Sequence, residues 1–410
     1  MKVKQHIWTM VIILFLGVTY LVAQQNTAEQ GQPTGQQSNS SAPQAPSDQA
    51  APASSSPTTP TFVGPLQPPS SVAFEAGPLG KLNLDGVASA IGMWQGNYFA
   101  GDEASHPAVN NGQVYFQKAS GWFQFYIQAG AYNVVSLGAP FIQTDRQITD
   151  LWGPVPVAYL KFSPTKTTSI QIGSLPTLMG AEYTFDFQNM NVQRGLLWNQ
   201  ENAINRGIQL NQTLGKFTAS LSWNDGFFSN RYSWLSGSLT YTNGPHSVSF
   251  QGMGNLGETK FTSLATPVQN NSTMYVVSYT YTKGKWIANP YVQFTNVPTN
   301  PRIGITRGAS TYGGAMLLSR TIGHGFSLAG RGEYITATGS PTEGAVNLLY
   351  GPGSAAWSAT LTPTYQHKHF FTRADIAYVR ARDFTPGSAF GSLGTERTQP
   401  RGVVEAGFMF

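Results

Sequence analysis

The chain has 410 residues, no cysteine and only 10% charged residues, against about 25% in an average soluble domain. The missing cysteine excludes a disulfide-stapled domain, a cysteine-ligated metal centre and a thiol enzyme. The formal charge of +5 is spread without a Lys/Arg block, so nucleic acid is not an expected partner.

Lys2 and Lys4 precede an apolar run over 7–18, and Leu21, Val22 and Ala23 stand before Gln24. This order predicts an export signal over 1–23, although Leu21 sits where a small residue is usual before the cut. The alternative is an uncleaved anchor; a lipoprotein is excluded, because no cysteine follows. Residues 24–72 hold nine Gln, nine Ser and nine Pro, with only Glu29 and Asp48 charged. Such a stretch is too polar to bury a core, and a disordered linker is expected.

From residue 73 to 410 no apolar run reaches the length of a spanning helix. The text instead alternates with period two. Phe217, Ala219, Leu221 and Trp223 fall on one face, and Thr218, Ser220, Ser222 and Asn224 on the other. Residues 273–283 and 355–367 repeat the pattern. Sixteen strands are predicted: 79–98, 112–119, 121–133, 155–163, 167–175, 205–214, 216–225, 233–243, 246–255, 273–283, 285–296, 309–321, 325–338, 355–367, 369–382 and 401–410. The second and fourth have the weakest pattern, which leaves fourteen or eighteen as alternatives.

Seven short turns, such as Gly215, Gly284 and Lys368, alternate with eight long loops: 99–111, 134–154, 176–204, 226–232, 256–272, 297–308, 339–354 and 383–400. The fold class is therefore all-β, a transmembrane antiparallel β-barrel of about sixteen strands with both termini periplasmic. Aromatics near strand ends (Trp94, Trp122, Trp223, Trp234, Trp286, Phe294, Phe326 and Tyr334) are expected to form interfacial girdles. The alternating end at 404–410 closes on Phe410, a signal expected to engage the barrel-insertion machinery.

Parity places Lys81, Asp85, Lys161, Gln209, Asn211, Arg331, Glu333, Arg373, Asp375, Arg401 and Glu405 on the lumen side. Loop 176–204 is the longest and carries Glu182, Asp186, Arg194 and Glu201, with Arg206 following on the wall. It is expected to fold inward and narrow the pore. A transverse field would arise if its acids faced Arg206, Arg331 or Arg373 across the lumen. An outward loop with local ion pairs is the alternative.

Catalytic signals are weak. His106 is predicted in a long loop; His246, His324, His367 and His369 lie at or beside short turns. The pair His367 and His369 has no neighbouring carboxylate, so no metal and no cofactor are expected. Gly252, Gly254 and Gly257 match a dinucleotide fingerprint by letters, but they leave a strand for a loop rather than a helix.

At 171–209, Gly173, Leu175, Pro176, Gly180, Glu182, the stretch 189–194, Gly195, Leu196 and the re-entry Asn205, Arg206, Gly207 resemble the OmpL-like β-barrel porin family. The likeness extends more loosely over 75–410. It implies an outer-membrane porin-type barrel with passive permeation, and it brings no catalytic residues. The expected function is a passive diffusion channel for small hydrophilic solutes or ions in a Gram-negative outer membrane. The expected surroundings are outer-membrane lipid and lipopolysaccharide, with a homotrimer by analogy. An occluded structural barrel, tethered to the envelope by 24–72, is the second expectation. A soluble exported carbohydrate-binding protein is the third, disfavoured by the girdle and Phe410.

Overall fold

The computed structural model describes residues 60–68 and 70–410. The predicted signal, and the linker up to residue 59, lie outside these described residues.

Alternation of small polar with apolar side chains makes extended, paired backbone the only way to segregate the two faces. Among the described residues the strands are β1 (Val72–Glu75), β2 (Lys81–Gln95), β3 (Ser105–Lys118), β4 (Phe123–Tyr132), β5 (Val157–Phe162), β6 (Thr168–Pro176), β7 (Ile204–Leu214), β8 (Phe217–Asn224), β9 (Trp234–Asn243), β10 (His246–Asn255), β11 (Thr273–Lys283), β12 (Trp286–Val297), β13 (Ala309–Gly323), β14 (Phe326–Ala337), β15 (Ala355–His367), β16 (Phe370–Arg382) and β17 (Thr398–Met409). Each pairs antiparallel with its chain neighbour, and β17 returns to β2 from Arg401↔Gln95 to Met409↔Val87. Sixteen strands, β2 to β17, thus close a barrel with no free edge. Short β1, unforeseen in the sequence, pairs with the start of β2 where β17 has ended, from Val72↔Leu84 to Glu75↔Lys81.

The predicted second strand, 112–119, is corrected: β3 begins at Ser105 and takes in most of the supposed loop 99–111, His106 included. Two features hid it. Pro107 reads as a strand breaker, and a bulge reverses the parity. Ser89 pairs with Asn111 and Ala90 with Val109, so Asn110 is an extra residue. Consecutive asparagines, Asn110 and Asn111, are consequently both buried.

The two faces of the wall invert the pattern of a soluble protein. On β15 Thr360, Thr362 and Thr364 are buried, while Leu361 is 47% exposed; on β16 Ile376 is 67% exposed. An apolar band of this extent requires hydrocarbon outside it. Trp94, Trp122, Trp223, Trp286, Phe326 and Tyr334 are exposed, as a girdle requires. Trp234 is not part of it: it is fully buried and packs edge-on against Phe227 at 5.6 Å. No described helix is long and apolar enough to cross a membrane.

Candidate functional site: a loop clamped across the lumen

Loop 177–203 leaves β6 and returns on β7, where Pro176 faces Ile204. Its attachments are on the other side. Arg331 and Glu333 stand on β14, Arg373 and Asp375 on β16, and Glu405 on β17. β14 is eight strands from β6 in a ring of sixteen, half the circumference. The loop therefore crosses the lumen, and its residues from Phe185 to Trp198 are buried.

One flank is ionic. Arg331 Nη1 donates to Glu182 Oε1 at 2.6 Å and to the Gln193 carbonyl at 2.7 Å. The Glu333 carboxylate lies 3.3 Å from Arg331 Nε and accepts from the Leu196 amide at 3.1 Å and Ser358 Oγ at 2.6 Å. Gly195 permits this approach, because a side chain there would overlap the Glu333 carboxylate. Arg373 Nη2 meets both Asp186 Oδ2 and Glu405 Oε2 at 2.5 Å. Asp186 also accepts from Asn110 Nδ2 at 2.7 Å and Asn111 Nδ2 at 2.6 Å, so the bulge serves this carboxylate. Asp375 accepts from the Gln193 amide at 2.8 Å and from Thr362 Oγ1 at 2.5 Å.

The other flank is aromatic. Phe187 lies 5.7 Å from Tyr115 and 6.1 Å from Phe185, and Phe185 packs edge-on against Tyr132 at 5.6 Å. Between the flanks the backbone of Arg194 bridges to the preceding long loop. Its amide donates to Val135 O, and its carbonyl accepts from the Leu137 amide, both at 2.9 Å. The Arg194 guanidinium is spent on backbone carbonyls, those of Thr184, Val192 and Val135.

Burial alone would raise the Asp186 carboxyl, but Arg373, with Glu405, Arg194 and Asn111, outweighs it and holds the group below the usual carboxylate range. Glu201 differs. It is buried, neither carboxylate oxygen has a hydrogen-bond partner among the described residues, and Glu182 and Glu333 are close. Burial first, then those two acids, push its carboxyl well above the ordinary range.

Two expectations need correction. Arg206 does not face the loop acids. Its Nε donates to Asp225 Oδ2 at 2.8 Å and its guanidinium lies 3.9 Å over the Phe228 ring, so it braces the β8–β9 connection. Nor do Glu182 and Asp186 oppose Arg331 and Arg373 across water: they touch them, and Glu201 pairs with neither. Charges in contact cancel at a distance, and a strong transverse field needs them apart. Sequence reasoning missed Asn110, Asn111, Ser358 and Thr362. The polar pair at 110–111 interrupting a strand pattern was the one available signal for the first two.

Away from the clamp, the inner faces of β6 to β10 carry uncharged groups. Gln209 Nε2 donates to Gln171 Oε1 at 3.1 Å and to Asn211 Oδ1 at 2.7 Å, and Thr240 Oγ1 to Ser249 Oγ at 2.9 Å.

A closed barrel of sixteen antiparallel strands, apolar outside and polar inside, with its longest loop folded across the lumen, defines a porin-type barrel. A family model described as "Putative beta-barrel porin-2, OmpL-like" matches residues 81–410, and the chain belongs to that family. Solved structures agree on the fold. The outer membrane channel DcaP of Acinetobacter baumannii superposes with a TM-score of 0.56 at 9% identity, covering 83% of this chain and 100% of that one. Outer-membrane expressed OmpT of Vibrio cholerae gives 0.54 at 11% identity, over 83% and 100% of the two chains; OmpT has also been solved in a trimer form. OmpF of Salmonella typhi, in complex with daunomycin, gives 0.52 at 12% identity, again over 83% and 100%. No curated protein sequence matches significantly. The chain is a porin-type protein of the bacterial outer membrane.

Proposed function

We propose that the barrel is a passive, weakly ion-selective diffusion channel for small hydrophilic solutes, with no enzymatic activity, whose aperture is set by loop 176–204. The carrying observation is the division of the inner wall. On one side the charges of Glu182, Asp186, Arg331, Glu333, Arg373 and Glu405 are consumed in mutual contacts. On the other, β6 to β10 present amide and hydroxyl groups. A path along such groups offers hydrogen bonds in exchange for a solute's hydration and little preference for either sign of charge. In this reading Glu182, Asp186, Arg194, Glu201, Arg331, Glu333, Arg373 and Asp375 position the constriction, and Arg206 supports the wall beside it.

The same reading puts both termini on the periplasmic side of a Gram-negative envelope, after removal of residues 1–23. The apolar belt faces lipid and lipopolysaccharide, Phe410 engages the insertion machinery, and the trimer form of OmpT makes a homotrimer the assembly to test. The dense burial of the loop favours a second reading, an occluded structural barrel. Swelling of liposomes loaded with the purified barrel separates the two. Uptake of small sugars that falls with solute size supports the channel, and swelling no faster than empty liposomes supports occlusion.

A further inference from the structure

Residues 24–72 contain four large apolar side chains, Phe62, Val63, Leu66 and Val72, all within the last eleven positions. A tether that only spans distance has no use for them. In the structure Phe62 and Leu66 have places inside the barrel, whereas Val72, on β1, is exposed. Leu66 is fully buried in the cluster that contains Val87, Tyr115 and Met409. The Phe62 ring lies 5.6 Å from Phe187 of the inward loop. The Val63 and Gly64 amides donate to the Gln188 carbonyl at 2.8 and 3.1 Å, and Gln188 Nε2 donates back to the Thr61 carbonyl at 3.0 Å. Gly64 fits here because a side chain would overlap the Asn189 carbonyl. At the short-turn rim, the Gln67 backbone and the Gln366 amide exchange two hydrogen bonds, both 2.8 Å. Pro60, Pro65 and Pro68 restrict the backbone, which bends at Gly64 and Pro65, and lower the entropy lost on seating the segment.

We propose that residues 61–66 are a second constriction element, a strap that enters the lumen from the short-turn end and fixes the position of loop 176–204. The strap grips the turn Asp186–Gln188, whose Asp186 is the residue held by Arg373. It therefore braces the loop at the point where the ionic flank ends. It is tied to Gln188 by three hydrogen bonds and to Phe187 by a ring contact, and Leu66 anchors it in the aromatic cluster. Size selectivity then depends on a segment outside the strand repeat. The proposal rests on the channel reading for its consequence, but not for its geometry.

The geometry is tested in the full chain with the pair Gln67→Cys and Gln366→Cys at the short-turn rim, two neighbouring positions outside the packed cluster in a chain with no native cysteine. Intramolecular cross-linking by a short bismaleimide in the folded protein is expected; absence of the cross-link overturns the strap. The consequence is tested by single-channel recording of the wild type, of a deletion of 60–68, and of Gly64→Val, which unseats the strap without removing it. A rise of roughly twofold in conductance with a larger solute cut-off is expected for both variants. Cross-linked protein whose variants keep the wild-type conductance and cut-off overturns the constriction role and leaves the channel standing. If wild type and both variants are silent while the cross-link forms, the channel reading fails and the strap is retained as part of a plug.

Discussion

The inward loop is held by two flanks of opposite chemistry. Arg331, Glu333, Arg373, Asp375 and Glu405 hold it by charge and hydrogen bond, and Tyr115, Tyr132, Phe185 and Phe187 hold it by ring packing. The aromatic flank gains from apolar burial, which is non-directional. The ionic flank gains only while every member is matched, since a buried charge without its partner costs more than the pair contributes. The lesson is that the ionic side fixes where the loop lies, and the aromatic side makes it adhere. Damage to the first should misplace the loop; damage to the second should loosen it.

Arg373→Ala should have the largest effect. It strands Asp186 and Glu405 together inside the barrel, a loss of about 3–5 kcal/mol, read as a lower midpoint in thermal unfolding and a higher, noisier conductance. Arg373→Lys should restore little, because one ammonium cannot reproduce the forked contact. Phe187→Ala should cost about 3 kcal/mol by leaving a cavity among Phe185, Tyr115 and Phe62, with increased current noise but an unchanged reversal potential. If the two flanks hold one rigid loop, the double variant should raise conductance by less than the sum of the singles. Additive effects would separate them into independent supports.

Glu201→Gln sharpens the comparison through pH. The Glu201 carboxyl is raised in the folded state, so folding takes up a proton once pH exceeds the ordinary carboxylate value. Stability should therefore fall as pH rises from that value toward the folded one, by about 1.4 kcal/mol per pH unit across that window. The Gln variant should lose this slope, and a thermal midpoint that falls equally with pH in both proteins would contradict the assignment. Asp186 has the opposite sign: its stabilisation is present above the ordinary carboxylate value and is lost in acid below it. Arg206→Ala should have the smallest effect on the current: it strands the buried Asp225 and so lowers the thermal midpoint, but Arg206 braces the β8–β9 connection and touches no part of the clamp. Its conductance should match the wild type.

Much of the fold was legible because a barrel wall obeys one local rule. From β9 to β16 the alternation sets the strands almost to the residue, as at 246–255, 273–283 and 355–367. The rule failed at the β3 bulge, where parity changes hands at Asn110 and Asn111, and at β1, four residues with no alternation of their own. The loop acids and the wall arginines were legible as one group, because charges on an inner wall and in a long loop have few other uses. Which acid meets which arginine was not legible, since that depends on the loop's path and on Gly195 letting Glu333 through. Glu201 gave no sign that it would be left without a partner. The strap was hidden by composition: Gln, Ser and Pro outnumber Phe62, Val63 and Leu66, and an average over 24–72 reports only the majority.

The most direct test of the account is the single-channel current of the folded full-length protein in a planar bilayer under a salt gradient. Clamp charges held in mutual contact and an uncharged β6–β10 lining predict small discrete steps with a reversal potential close to zero. A strongly cation- or anion-selective reversal potential, or a folded barrel that passes no current, would contradict it.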